Sequence, residues 1–214
     1  MKNSILSFAA LACCALLAGT ATAQVGVGVR GGITSSTLRS ESGGVTLTLD
    51  SRTGYYVGIP VEVRFPGPLG LQVEANLSQF GSKLNLDLGG VGSLEAESVY
   101  NYLTIPVLLK GGFVGESFEL SAVAGPSFGY ALSGKSIVME VEETIDFDNP
   151  DATFKRGNVA AVFGVQAGLP VGGGKFLVDV RYSLGLNDID DDDDAVATNR
   201  QFSAGLGYLF TFGV

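Results

Sequence analysis

QFSAGLGYLFTFGV, residues 201–214, closes the sequence and decides how the rest of it is read. Phe202, Ala204, Leu206, Tyr208, Phe210, Phe212 and Val214 fall on one face of a strand, while Ser203, Gly205, Gly207 and Thr211 share the other with Leu209. Successive side chains of a strand point to opposite faces, so one face here is apolar and aromatic and the other small and mostly polar. Such a terminal strand, in a chain with a secretory start, has the pattern of the closing strand of a transmembrane β-barrel.

The start reads as a signal peptide. Lys2 gives a positive leading region, Ile5 to Leu17 an apolar core, and Ala21-Thr22-Ala23 a small-x-small cleavage site before Gln24. The apolar run is shorter than the roughly 20 residues a spanning helix needs. Residues 1–23 are therefore expected to be cleaved, leaving 24–214 as one barrel domain. Cys13 and Cys14 both fall inside the leader, and their neighbours fit lipid attachment poorly. The mature chain then has no thiol for a disulfide or a thiolate metal site.

Composition narrows the class. Charged residues make up 16% of the chain, against roughly 25% in ordinary soluble domains. No apolar run after Ala23 is long enough for a membrane helix, which leaves closure into a barrel as the way to satisfy every backbone group in lipid. A net charge of −9 argues against nucleic acid, whose binding rests on Lys and Arg at phosphates.

Alternation divides the mature chain into segments at Val25–Ile33, Gly54–Phe65, Gly70–Phe80, Val99–Gly111, Phe118–Leu132, Asn158–Leu169, Phe176–Leu186 and Gln201–Val214. The expected fold is all-β, an eight-stranded antiparallel up-and-down transmembrane β-barrel; single-chain bacterial barrels have even strand numbers. The second segment sets Tyr55, Val57, Ile59, Val61, Val63 and Phe65 against Tyr56, Gly58, Glu62 and Arg64. The third sets Leu71, Val73, Ala75 and Leu77 against Gln72, Glu74, Asn76 and Ser78. The seventh sets Val178, Val180, Tyr182 and Leu184 against Asp179, Arg181, Ser183 and Gly185.

Connections alternate strictly between short and long. Pro66–Leu69, Gly112–Ser117 and Pro170–Lys175 are short, whereas Thr34–Thr53, Gly81–Ser98, Ser133–Gly157 and Asn187–Arg200 are long. Outer-membrane barrels have short periplasmic turns and long external loops. More than half of the acidic residues fall in the last two long connections, from Glu140 to Asp151 and from Asp188 to Asp194.

A lipocalin-like soluble barrel would carry the same alternation with its faces reversed. The abundance of Gly and Ser on the non-apolar face suits a crowded eight-stranded lumen better than a solvated exterior. Tyr55, Phe65, Tyr102, Phe118, Tyr130, Phe176, Phe202 and Phe212 sit near strand ends, as interface girdles do. Pro60, Pro106 and Pro126 lie inside strands and remove ladder donors; bulges there are the expected repair.

Asn101-Tyr102-Leu103-Thr104-Ile105-Pro106-Val107-Leu108-Leu109-Lys110 resembles the Tyr-Leu-x-Ile-Pro-x-Leu-Leu-Lys signature of the PorT-type outer-membrane β-barrel family of Bacteroidota-like bacteria. Ala124 to Tyr130 resembles that family's next strand, Arg181 to Leu186 its seventh and Leu206 to Phe210 its last. Gly207, Phe210 and Phe212 fit the spacing of the C-terminal signal read by the barrel-assembly machinery. The resemblance covers essentially the whole mature chain and implies strand prolines and a place in the outer membrane of a Gram-negative cell envelope. A link to protein secretion belongs to some members only.

Gly129 to Ser136 spells G-x-x-x-x-G-K-S, and Gly26 to Gly31 spells G-x-G-x-x-G. Each needs a strand before it and a helix after it to cradle phosphate, and neither has that context. Histidine is absent, so the usual base of a nucleophilic triad is missing. Glu62, Glu74 and Asp179 could act as carboxylate acids and bases, but Arg30, Arg64, Lys110 and Arg181 share their predicted inward face. Paired charges plugging a narrow lumen are the expected arrangement. The run from Asp188 to Asp194 lacks the spaced ligands and turn glycine of a calcium loop.

The sequence thus predicts a monomeric, non-enzymatic outer-membrane protein with no catalytic, cofactor or metal site and no cofactor. It would act structurally or through external-loop contacts, with outer-membrane lipids and the barrel-assembly machinery as its partners. The alternative is a narrow solute pore or an accessory component of a secretion system.

Overall fold

The computed structural model describes residues 24–42, 45–87, 93–138, 141–145, 147, 155–189 and 195–212. Residues 1–23, where the sequence places a leader, the acidic run Asp190 to Asp194 and residues 213–214 lie outside the described part. Ten strands follow one another: β1 Gln24–Ser42, β2 Val45–Thr48, β3 Asp50–Arg64, β4 Leu69–Asp87, β5 Ser93–Val114, β6 Glu119–Val138, β7 Val141–Ile145, β8 Gly157–Val171, β9 Gly174–Gly185 and β10 Ala195–Phe212. Eight of them pair antiparallel in the order β10-β9-β8-β6-β5-β4-β3-β1, and β10 pairs back onto β1 to close the ring. The closing ladder runs without a break from Val25↔Phe212 to Ser42↔Ala195, so the ring leaves no free edge in the hydrocarbon layer.

Burial follows the predicted faces, with an exception at Val63, which the alternation sets on the outer face but which is 4% exposed. Leu206 is 64% exposed and Ile59 55%, whereas Glu74 and Asp179 are each 2% exposed. An apolar outside around a charged inside is the reverse of a soluble barrel, and it settles which face points to lipid.

At the end holding Gln24 and Phe212 the turns are tight. The β3–β4 turn is closed by Phe65 N–H donating to the Leu69 carbonyl at 3.0 Å, and the β5–β6 turn by Gly115 N–H donating to Phe118 at 3.0 Å. The β8–β9 turn is shorter than the sequence suggests. Pro170 and Val171 already pair with Lys175 and Gly174, leaving only Gly172 and Gly173 as the loop. Gly172 has φ +60°, a conformation that hairpin turns need and glycine adopts freely.

At the other end the strands outrun their predicted limits. β1 continues past Ile33 to Ser42, β4 past Phe80 to Asp87, and β10 starts at Ala195 rather than Gln201. About 9–11 residues suffice to cross a bilayer, so these extensions stand in water. No lipid enforces an apolar residue at every second position there, so alternation in the sequence no longer marks a strand. Two short strands join the extensions, β2 pairing with β1 and β7 with β6. Arg52 Nε donates to Glu97 Oε1 at 2.5 Å beyond the apolar band, and this hydrogen bond holds the Glu97 carboxyl below its ordinary pKa.

The strand prolines are accommodated differently from expectation. Pairing skips from Val27↔Val61 to Arg30↔Gly58 beside Pro60, from Val73↔Val107 to Asn76↔Thr104 beside Pro106, and from Pro106↔Ser127 to Leu109↔Ala124 beside Pro126. Each ladder resumes in its former register, so no bulge is needed; each proline merely forfeits pairing with one neighbour and keeps it with the other. The register shifts lie elsewhere, between Ser51 and Tyr56 and between Asn101 and Tyr102.

Tyr102 is a second correction. It is 2% exposed and packs inside with Phe80, at 5.1 Å between ring centroids, so it belongs to no girdle. Its place in the alternation with Thr104 and Lys110 puts it inward. Tyr55, Phe118, Tyr130, Phe176, Phe202 and Phe212 do lie on the outer surface.

Leu206 pairs with Gly31 and Val178 in the middle of the wall, and Val107 with Val73. Leu206→Arg and Val107→Arg are each expected to lower stability by about 2–4 kcal/mol, because a charge at the midplane is poorly solvated. Reversible unfolding from lipid vesicles measures this directly.

Candidate functional site

The lumen is where the chain concentrates its buried charge. In β4 the run Gln72-Val73-Glu74-Ala75-Asn76 alternates, so one strand delivers a carboxylate and two amides to the same inner face. Gln72 Nε2 donates to Glu74 Oε1 at 2.6 Å, and Asn76 Nδ2 donates to Oε2 at 2.8 Å. From β1, Arg30 Nη1 donates to both Glu74 oxygens at 2.7 and 2.5 Å. From β9, Arg181 Nη1 donates to Oε1 at 2.9 Å.

Asp179, two residues before Arg181 and on the same face, completes this layer. Arg30 Nη2 donates to Asp179 Oδ1 at 2.5 Å and to the Tyr56 hydroxyl oxygen at 2.6 Å. Its guanidinium carbon lies 4.8 Å from the centre of the Tyr56 ring, within cation–π range. Arg181 Nε lies 3.0 Å from Asp179 Oδ1. Two guanidinium groups and two carboxylates thus bridge the barrel at one level.

Room for these side chains comes from missing ones. Gly205, opposite Asp179 on β10, faces the Tyr56 hydroxyl so closely that a β-carbon would overlap it. Gly164 does the same for Arg181, where a β-carbon would meet Cγ at 2.7 Å. Glycine in a strand weakens it, and here that cost is offset by the ion pairs it admits.

A second layer lies nearer the tight turns. Lys110 Nζ donates to Glu62 Oε2 at 2.8 Å, and Lys175 Nζ donates to Glu62 Oε1 at 2.7 Å and to Glu119 Oε2 at 2.9 Å. Arg64 Nη2 reaches Glu119 Oε2 at 2.6 Å and Glu62 Oε1 at 3.1 Å. Arg30, Glu62, Arg64, Glu74, Lys110, Asp179 and Arg181 therefore all face inward and pair with opposite charges, as the sequence predicts. Lys175 was missed because it falls in the predicted turn, although its spacing from Asp179 and Arg181 places it on their face. Tyr56, which no charge pattern marks, was also not foreseen as a partner.

Toward the long loops the polar lumen gives way to rings. Phe80, Tyr100, Tyr102 and Ala131 cluster, with Ile145 and Phe147 packed against them. Phe147 stands 6.4 Å from Tyr100, and the Arg156 guanidinium lies 5.3 Å from the Phe147 ring centre. Between this aromatic group and the upper ion layer is a cavity of about 50 Å³.

The two phosphate-loop look-alikes are strand throughout, in β6 and β1. Among the described residues no three potential metal-ligating His, Cys, Asp or Glu side chains come together.

A closed ring of strands, apolar without and charged within, defines a transmembrane barrel. Residues 18–191 match the outer membrane protein β-barrel domain family, and the chain belongs to that family. It is an outer-membrane protein. No curated protein sequence matches the chain closely enough to count as a relative. Among solved structures it is similar to the attachment invasion locus protein Ail of Yersinia pestis, with 14% identity, a TM-score of 0.43 and coverage of 86% of this chain and 98% of Ail. OprG of Pseudomonas aeruginosa gives 13%, 0.47, 90% and 98% in the same order, and the outer membrane protease OmpT of Escherichia coli gives 12%, 0.46, 88% and 97%. The family assignment rests on the sequence match and not on these superpositions.

Arg30 serves Glu74, Asp179 and Tyr56 at once, whereas loss of Arg181 leaves Glu74 with Arg30. Arg30→Met is expected to destabilise the barrel by about 3–5 kcal/mol, since Glu74 and Asp179 lose three short charged hydrogen bonds and are left to share Arg181 alone, and Arg181→Met by less. Urea unfolding of the two variants, compared with wild type, checks the order.

Proposed function

We propose that the protein is a small, monomeric, non-enzymatic integral outer-membrane barrel that acts through its wall and its acidic external side. The observation that carries this reading is the pair of ion layers bridging the lumen from β1, β3, β4, β5, β6 and β9. An eight-stranded ring has an interior just wide enough for side chains, whereas aqueous porins use about 16 to 18 strands. The absence of histidine from the sequence, and of cysteine after Cys14, supports the non-enzymatic reading. The external strand extensions, carrying exposed acids such as Glu142 and Glu143 on β7, are suited to contacts outside the cell.

Residues 1–23 are the cleaved export signal in this reading, and the barrel-assembly machinery acts on the C-terminal strand. The likeness to the PorT-type group rests on Asn101 to Lys110, Ala124 to Tyr130, Arg181 to Leu186 and Leu206 to Phe210; a role beside a secretion machine, which belongs to some members of that group only, is the alternative reading. Intact-mass measurement on protein from isolated outer membranes is expected to give a chain starting at Gln24.

Reconstitution into planar bilayers separates the filled barrel from a solute pore. No discrete conductance steps are expected from the purified protein. Steady, unitary currents that scale with the number of inserted barrels would establish the pore instead.

A further inference from the structure

The first strand begins at the rim that holds the tight turns. Gln24 is its first residue and pairs with Arg64 on β3, whereas the ladder to β10 begins one position later, at Val25↔Phe212. Gln24 therefore overhangs the seam that closes the ring. It is exposed, and its side-chain amide makes no hydrogen bond to another described residue. Gln72, inside the lumen, differs, because its amide is tied to Glu74.

Cleavage between Ala23 and Gln24, on which this inference rests, places a new α-amine on the residue that carries this loose amide. The two groups are linked only through Cα, Cβ and Cγ, so attack of the amine on Cδ closes a small, unstrained ring. Nucleophile and carbonyl held within one residue meet far more often than separate molecules do. The uncharged amine forms the new C–N bond, the bond from Cδ to the amide nitrogen breaks, and the amine's proton leaves with that nitrogen as ammonia. No oxidant, reductant or other reactant is consumed.

The strand accepts the product unchanged. The lactam nitrogen keeps an N–H and the Gln24 carbonyl is untouched, so the ladder loses no bonding group. Loss of the α-ammonium also removes a full charge from the edge of the apolar band, where Val25 and Phe212 start the seam.

We propose that the mature N-terminus is a modification site, at which the Gln24 α-amine displaces ammonia from its own side-chain amide to give a pyroglutamyl lactam. The closing seam then starts on a neutral residue with no free amine for an aminopeptidase.

The test uses full-length protein purified promptly from cold outer membranes. Free amines are capped by reductive dimethylation, the chain is cut with trypsin, and the peptide from Gln24 to Arg30 is read by tandem mass spectrometry. In most copies this peptide is expected to be lighter by one ammonia than its sequence requires and to lack the cap. Pyroglutamyl peptidase, applied to the denatured chain, is expected to expose Val25 as the new terminus. A Gln24→Glu variant, whose ring closure must expel water instead of ammonia, is expected to carry the cap on residue 24. If that variant is not processed, Gln24→Asn replaces it, since its shorter side chain makes the ring too strained to close. A capped, unmodified Gln24 in fresh protein, a lactam that accumulates only on storage, or a block that persists in the variant would overturn the modification and leave cleavage before Gln24 standing. A terminal peptide that begins at another residue would overturn the cleavage itself, and the modification with it.

Discussion

The Glu74 carboxylate is the point around which the barrel is organised. It receives hydrogen bonds from Arg30 on β1, Arg181 on β9 and its own strand's Gln72 and Asn76. A carboxylate in a narrow lumen is tolerable only when fully paired, and strands on different sides of the ring must supply the pairing. This demand fixes where arginine, tyrosine and glycine fall. Arg30 reaches Glu74 from across β3, Tyr56 supports Arg30, and Gly205 yields space to Tyr56. The second layer repeats the scheme with Glu62, which two lysines and Arg64 share.

Much of this was legible in the sequence because the membrane enforces a period of two. Lipid requires an apolar residue at every second position, so Glu62, Glu74 and Asp179 could be placed inward from their neighbours alone. The signal fades where that requirement ends. Ser35 to Ser42 continue β1 beyond the apolar band with no alternation to reveal it, and β2 and β7 exist only because longer neighbours offer them edges. Lys175 was hidden by a turn shorter than its glycines and proline suggest. Tyr102 was misplaced by giving its aromatic character more weight than its place in the alternation. Ion-pair partners such as Arg30 and Asp179, far apart in sequence, could be assigned to a face but not to each other, since that depends on ring closure.

The distribution of burial also changes what holds the molecule together. In a soluble domain, buried apolar side chains supply the driving force and the surface is free to vary. Here the apolar residues meet lipid, and the inward contacts are mainly polar. Small apolar groups inside, such as Leu108 with Val123 and Val162, fill gaps between charged layers. Stability inside therefore rests on directional bonds of fixed length, and this makes the lumen specific and intolerant of single losses.

The three strand prolines give the wall an unequal stiffness. The interruptions at Pro60, Pro106 and Pro126 fall in the β1–β3, β4–β5 and β5–β6 ladders. On the opposite side, β6–β8, β8–β9, β9–β10 and β10–β1 run unbroken. In cross-section one arc is a continuous hoop and the other is hinged near the height of Glu74, where Pro60 pairs with that residue directly. Lateral pressure from the bilayer would flatten such a ring along the hinged arc first. The Arg30–Glu74–Arg181 bridge spans the ring at that level and acts as an internal strut, setting its roundness where the backbone alone does not.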